Sequence, residues 1–149
     1  MSHEVTVVDA VARPTAVVAA TTTWPEYPAL WKGMLDEVWA CLRANGIDRG
    51  CRNVMLYHET GPGVEVEVGV ELTRPCPLTG RIVASRLPAG RVAKTVHWGS
   101  YAGLGDAHQA VKDWSMANGI RRAGPFWEVY GPHHDDPAEV WTEIYYMLG

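Results

Sequence analysis

One phenylalanine, three cysteines and no run of basic residues longer than the adjacent pair Arg121 and Arg122 mark what this chain lacks. Cys41, Cys51 and Cys76 are odd in number and have no CxxC spacing, so neither a disulfide framework nor a zinc site is suggested and reduced thiols are expected. Thirteen basic against seventeen acidic residues leave a formal charge of −4. A surface that binds nucleic acid by releasing its counterions is therefore not expected. No apolar stretch approaches the roughly 20 residues that span a bilayer, and the N-terminus has no charged segment followed by an apolar core and cleavage site. A soluble, cytoplasmic protein is expected, with no membrane and no direct nucleic-acid contact. No cofactor is expected either. Gly99-Ser100-Tyr101 lacks the glycine that a nucleophile elbow needs two residues after its serine, and Gly103-Leu104-Gly105 lacks the spacing of a phosphate cradle.

What the chain does have is tryptophan and tyrosine, seven and six of them beside that single Phe. Both carry a large apolar face and one polar edge, suited to walls that grip a ligand and still tolerate water, and suited equally to filling a core. The chain also repeats itself. Pro14, Trp24, Tyr27 and Leu30 recur 74 positions later as Pro88, Trp98, Tyr101 and Leu104, and Ala-Asn-Gly-Ile at Ala44 to Ile47 returns at Ala117 to Ile120. Duplication explains this, and predicts one α+β domain over residues 1–149 with a first repeat at about 1–75 and a second at about 76–149. Each copy reads as a β-α-β-β unit. The pair implies antiparallel sheets, two helices, pseudo-twofold symmetry and a shared seam.

Val5–Val11 and Thr15–Thr23, separated by Arg13-Pro14, read as a hairpin, and Ile82–Leu87 with Arg91–Trp98 reads as its repeat. Trp31, Met34, Leu35, Val38 and Leu42 form a helical stripe stopped by Asn45-Gly46. Ala107, Ala110, Val111 and Trp114 form a second, stopped by Asn118-Gly119. Val64–Leu72 alternates valines with Glu65, Glu67, Gly69 and Glu71, a strand with one dry face whose acids read as solvated. Phe126–Tyr130 and Val140–Leu148 are the later strands.

The repeat sets Glu128 opposite Met55, so an acid stands where the first copy has a core-type residue. Alternation puts Phe126, Glu128 and Tyr130 on one side of a strand. An acid between two rings makes a short cation trap; the same face could also be wet, with Glu128 paired to an arginine. Buried without a partner, this carboxyl would resist ionisation until a cation arrived. Glu143 is a second candidate, but the loop before its strand is longer than in the first copy and its side is undecided. His133-His134-Asp135-Asp136 has metal-ligating residue types, yet adjacent residues rarely converge on one ion, and it reads as a polar loop. No metal is expected. His97 and His108 stand singly among apolar residues and read as satisfied by backbone.

His97-Trp98-Gly99-Ser100-Tyr101 leading into a helix that ends near Trp114, then Trp127-Glu128-Val129-Tyr130, then the run from Asp135 to Leu148, resemble the GyrI-like small-molecule-binding domain. That domain is also the effector-binding part of multidrug-responsive and AraC-type regulators. The resemblance covers nearly the whole chain and implies a pocket between the two repeats for amphipathic, often cationic aromatic compounds. It gives Glu128 the role of ligand-contacting carboxylate, matches Tyr101 to the aromatic of a Gly-x-Tyr turn, and matches Glu143 to the acid of the final strand. Trp24, Trp98 and Trp127 are the candidate wall rings beside Tyr101, Phe126 and Tyr130. The expected function is a stand-alone binder of small hydrophobic or cationic molecules. Two alternatives follow from the resemblance: a hydrolase of cyclopropane-bearing alkylating natural products using Glu128 with a tyrosine, or a protein that holds a partner such as gyrase or a regulator.

Overall fold

The computed structural model describes residues 3–149, which form two compact units. A central unit runs from Ala12 to Pro88, and a flanking unit joins the chain up to Val11 with Ala89–Gly149. In chain order the elements are β1 (Thr6–Ala10), β2 (Arg13–Thr22), α1 (Trp31–Ala44), β3 (Asn53–Glu59) and β4 (Val64–Glu71). There follow β5 (Ile82–Leu87), β6 (Gly90–Trp98), α2 (Leu104–Ala117), β7 (Arg122–Tyr130) and β8 (Trp141–Leu148). The class is α+β. Within the central unit the antiparallel strands lie in the order β3-β4-β2-β5, and within the flanking unit in the order β7-β8-β6-β1.

The expected strands are present, but the two expected hairpins are not. β1 lies against β6, with Thr6 opposite Lys94 and Val8 opposite Val92, and β5 lies against β2, with Val83 opposite Val17. A tight hairpin needs residues that accept positive φ at its turn. Val11-Ala12 offers no such residue, and no non-glycine among the described residues has positive φ. At the other junction Gly90, with φ 139°, is already the first residue of β6. The chain therefore passes from one unit into the other instead of folding back, and the compact units do not coincide with the two halves of the sequence.

The helices stop as their sequences require. Ile47 N–H bonds to Leu42 O at 2.9 Å and Gly46 N–H to Arg43 O at 3.1 Å; Ile120 and Gly119 make the same pair of bonds to Ser115 and Met116. This Schellman closure needs a left-handed residue after the cap, supplied by Gly46 at φ 80° and Gly119 at φ 63°. α1 buries Met34, Val38, Cys41 and Leu42, while α2 buries the smaller Ala107, Val111 and Ser115. None of the described helices is long and apolar enough to cross a membrane.

On β4 the valines are buried as the alternation implies, and so is Gly69, which the alternation had grouped with the acids. It sits between Val17 of β2 and Val54 of β3, and a Cβ there would run into the Ala16 carbonyl oxygen. The obstacle is backbone held in a ladder, so it cannot yield cheaply.

In the flanking unit, strand pairing sorts the side chains onto two faces. Ala93, Thr95, Phe126, Glu128, Tyr130, Thr142, Ile144 and Tyr146 share one, which α2 covers through Ala107 and Val111. The other carries Lys94, Trp127, Glu143 and Tyr145. There the Lys94 ammonium lies 3.2 Å from Glu143 and 5.4 Å from the centre of the Tyr145 ring, and Tyr145 O–H donates to Glu143 at 3.1 Å. Burial, with the Glu143 carboxylate adding to it, lifts the Tyr145 phenol above its ordinary 10.0. Burial alone would lower Lys94, but Tyr145 and Glu143 outweigh it and hold the ammonium above 10.5.

Two stability measurements test this description. Gly69→Ala should cost about 1–3 kcal/mol or more in urea unfolding by overpacking, whereas Gly33→Ala, in open space on α1, should gain up to about 1 kcal/mol from helix propensity. Lys94 and Tyr145 are both raised, so the stability they contribute is complete below their unfolded values and is lost as pH climbs through the folded ones. Urea midpoints should fall between about pH 9.5 and 11.5, and less steeply in a Lys94→Met/Tyr145→Phe double variant. An unchanged decline in that variant would place the alkaline loss elsewhere.

Candidate functional site

Glu128 is only 5% exposed. Its strand is aimed by an irregularity: the register between β7 and β8 shifts between Arg122 and Phe126, where Gly124 takes φ 94° ahead of Pro125. Beyond that bulge Phe126 pairs with Tyr146, Glu128 with Ile144 and Tyr130 with Thr142, which turns the carboxylate toward α2. The Glu128 side chain is dry, not wet.

Side chains of its own strand and of α2 meet the carboxylate. Tyr130 O–H donates to Oε1 at 2.6 Å, and His108 Nε2–H, from α2, donates to Oε2 at 2.7 Å. The other imidazole nitrogen, Nδ1, lies 2.6 Å from the Tyr146 hydroxyl. Tyr130, Glu128, His108 and Tyr146 thus form one hydrogen-bonded chain. Its surroundings are aromatic. Phe126 stacks on Tyr146 with centroids 4.8 Å apart, and Tyr101 stands edge-on to Tyr130 at 5.7 Å. Tyr101 is 54% exposed and carries the cluster out to solvent from a short 3-10 turn. Thr142 Oγ1, on the same face, is buried with no hydrogen-bond partner among the described residues.

His108 was the residue the sequence reading missed. It was expected to find backbone, yet both ring nitrogens meet side chains. Its position, four residues after Leu104 and three before Val111, was the available signal, because that spacing lies on the buried side of α2. His97 does behave as expected, with Nε2 against Ser100 O at 2.8 Å, and adds a 3.0 Å contact from Nδ1 to His3. Tyr146 was also missed; only the β7–β8 register reveals that it shares a face with Glu128.

Within the same unit, other candidates take the opposite face of the sheet. Glu143 is on the opposite face, in the ion pair with Lys94, which settles its side. Trp127 also points that way, 2% exposed and stacked on Tyr145 at 5.4 Å. Trp98 is half exposed on that face and lines an open cavity of about 480 Å³ with Thr6, Val8, Lys94 and Val96. Trp24 belongs to the central unit, where it packs against Tyr27 and Tyr57 and its Nε1–H donates to Glu59 at 3.1 Å. Beneath it, Tyr27 and Tyr57 turn their hydroxyls to Met55 Sδ at 2.9 and 3.3 Å. In the polar loop, Asp136 accepts from Ala138 N–H at 3.0 Å to cap a short turn, and His134 Nδ1 accepts from Asp136 N–H at 3.0 Å.

Comparison with known proteins places this fold. The EcmrR C-terminal domain superposes with a TM-score of 0.71 at 20% identity, over 100% of this chain and 99% of that one. In the EcmrR–DNA complex the TM-score is 0.76, and the chain spans 57% of the length of EcmrR there. SAV2435 bound to tetraphenylphosphonium gives 0.65 at 13% identity, covering 98% and 94% of the two chains. A hydrolase from Listeria innocua gives 0.60 at 10% identity, covering 99% and 93%. At these identities the likeness is one of fold. Curated protein sequences give no match. The sequence pattern of a whole family does match, over residues 3–148, and with it the chain belongs to the GyrI-like small molecule binding domain family.

Proposed function

We propose that this protein binds amphipathic aromatic cations, with Glu128 supplying the charge and Tyr101, Phe126, Tyr130 and Tyr146 supplying ring surface. The observation that carries the reading is a carboxylate 5% exposed and held among aromatic side chains. A delocalised organic cation is weakly hydrated, so it gives up little on leaving water, and it gains both the carboxylate's charge and the negative faces of the rings. Flat rings and one charge place few directional demands on a ligand, so broad specificity follows. SAV2435, of the same fold, is described as bound to tetraphenylphosphonium, which makes that cation the natural first probe.

The test is titration with tetraphenylphosphonium and with neutral triphenylphosphine oxide, read by tryptophan fluorescence and by thermal shift. Glu128→Gln keeps the shape and removes the charge. It should cost the cation about 1–3 kcal/mol of affinity and leave the neutral probe nearly unchanged. Equal losses for both probes would remove charge selection from the site. Tyr101→Ala, at an exposed ring, should cost roughly 0.5–2 kcal/mol of binding without lowering the unliganded melting temperature.

One observation favours a second reading. A carboxylate bonded to both a tyrosine and a histidine has the parts to activate water and return a proton, and one neighbour in fold is described as a hydrolase. Incubation with a cyclopropane-bearing alkylating natural product, followed by mass spectrometry, decides it. Conversion to a product heavier by one water supports hydrolysis, and unchanged compound leaves binding alone.

A further inference from the structure

We infer that His108 is a proton-exchanging counter-ion for Glu128, so that binding an organic cation releases a proton from the protein. The inference rests on the proposed cation-binding role of Glu128 and adds its regulation by pH.

The geometry supports both charge states of the imidazole with the heavy atoms unmoved. When His108 is protonated, both ring nitrogens donate: Nε2–H to Glu128 Oε2 at 2.7 Å and Nδ1–H to the Tyr146 oxygen at 2.6 Å. When it is neutral, Nε2–H still donates to Glu128, and Nδ1 accepts from the Tyr146 hydroxyl, which has only to turn its proton. A tyrosine hydroxyl can do either because it is both donor and acceptor. A backbone carbonyl in its place would have fixed one state. The imidazole side chain is also 17% exposed, so a proton has a route to solvent.

The charges around His108 give the exchange its direction. On β7 it faces Glu128, with Tyr130 bonded to the same carboxylate; on β8 it faces Tyr146, over whose ring the Arg122 guanidinium stands at 5.9 Å. On its own helix Lys112 lies one turn along. Glu128 is the anion in this group. With His108 charged, the imidazolium offsets the Glu128 charge that would draw a cation. A cation brought to Glu128 meets the imidazolium in a low-dielectric setting, and losing one proton from Nδ1 relieves the repulsion while every hydrogen bond survives. The step balances: protein with protonated His108 plus cation gives complex with neutral His108 plus one proton to solvent.

Calorimetric titration of the full chain with tetraphenylphosphonium in two buffers of different ionisation enthalpy, near pH 6, counts the protons released. Wild type should release up to one per cation bound and none with triphenylphosphine oxide. Its cation affinity should rise by up to about tenfold per pH unit across the exchange. His108→Gln retains a donor for Glu128 but cannot titrate; it should bind the cation, release no proton and show a flat profile, and His108→Asn serves if the glutamine variant does not fold. Loss of packing alone would weaken binding without altering the proton count. Cation binding with no proton release in wild type, or undiminished release in either variant, overturns the inference and leaves the cation-binding reading standing. No binding of tetraphenylphosphonium at any pH overturns both.

Discussion

Glu128 is a charge placed under a helix, and much of the flanking unit can be read as what makes that tolerable. Taking a carboxylate out of water costs several kcal/mol unless it is bonded well. Each hydrogen bond to a charged group returns roughly 1.5–3 kcal/mol, so the single tyrosine available on its own strand does not suffice. A further partner comes from α2. His108 reaches because α2 meets the sheet through Ala107 and Val111 against Ala93 and Ile144, all fully buried. Bulkier residues at those points would hold the helix off and break the bond from His108. The small-residue character of α2, legible in the sequence only as closer packing, thus has an electrostatic consequence.

The same demand explains the crowded turn of β7. Gly124 and Pro125 shift the register with β8, and that shift brings Phe126 onto Tyr146. The stack fixes the ring whose hydroxyl meets His108 Nδ1. At the root of the strand Arg122 Nε donates to Ser115 Oγ at 3.0 Å, and Ser115 donates to Lys112 O at 2.9 Å, so the bulged end is anchored to α2 by polar contacts where the rest is anchored by apolar ones. Helix and strand are positioned against each other at both ends of the segment that carries Glu128.

Where the sequence was informative, the information was periodic or local. The two apolar stripes and the Asn-Gly stops located both helices because a Schellman closure needs a residue with positive φ at one fixed place. The alternation on β4 found its buried valines. Strand partners were less visible, since adjacency in sequence suggests a hairpin and only the absence of turn residues at Val11-Ala12 argues against one. Side-chain partners were least visible of all. Glu128 could be singled out because the repeat set it against Met55, whereas His108 and Tyr146 are joined to it by a register and a helix rotation that no single segment encodes. Glu143 shows the same limit, because a loop of different length hid which of two faces it would take.

Met55 and Glu128 also bear on why one chain holds two similar arrangements with different chemistry. In the central unit two buried tyrosine hydroxyls, of Tyr27 and Tyr57, turn to the Met55 sulfur and to each other at 3.2 Å. In the flanking unit Tyr130 stands two residues past Glu128 just as Tyr57 stands two past Met55, and Tyr101 meets Tyr130 edge-on as Tyr27 meets Tyr57. A thioether is a weak, polarisable acceptor that suits buried phenols and carries no charge to neutralise. Replacing it with a carboxylate strengthens the bond from the tyrosine but creates a demand for a second, ionisable neighbour, and α2 meets that demand with a histidine. One difference of residue type therefore separates an aromatic cluster built on an uncharged acceptor from one built on a carboxylate.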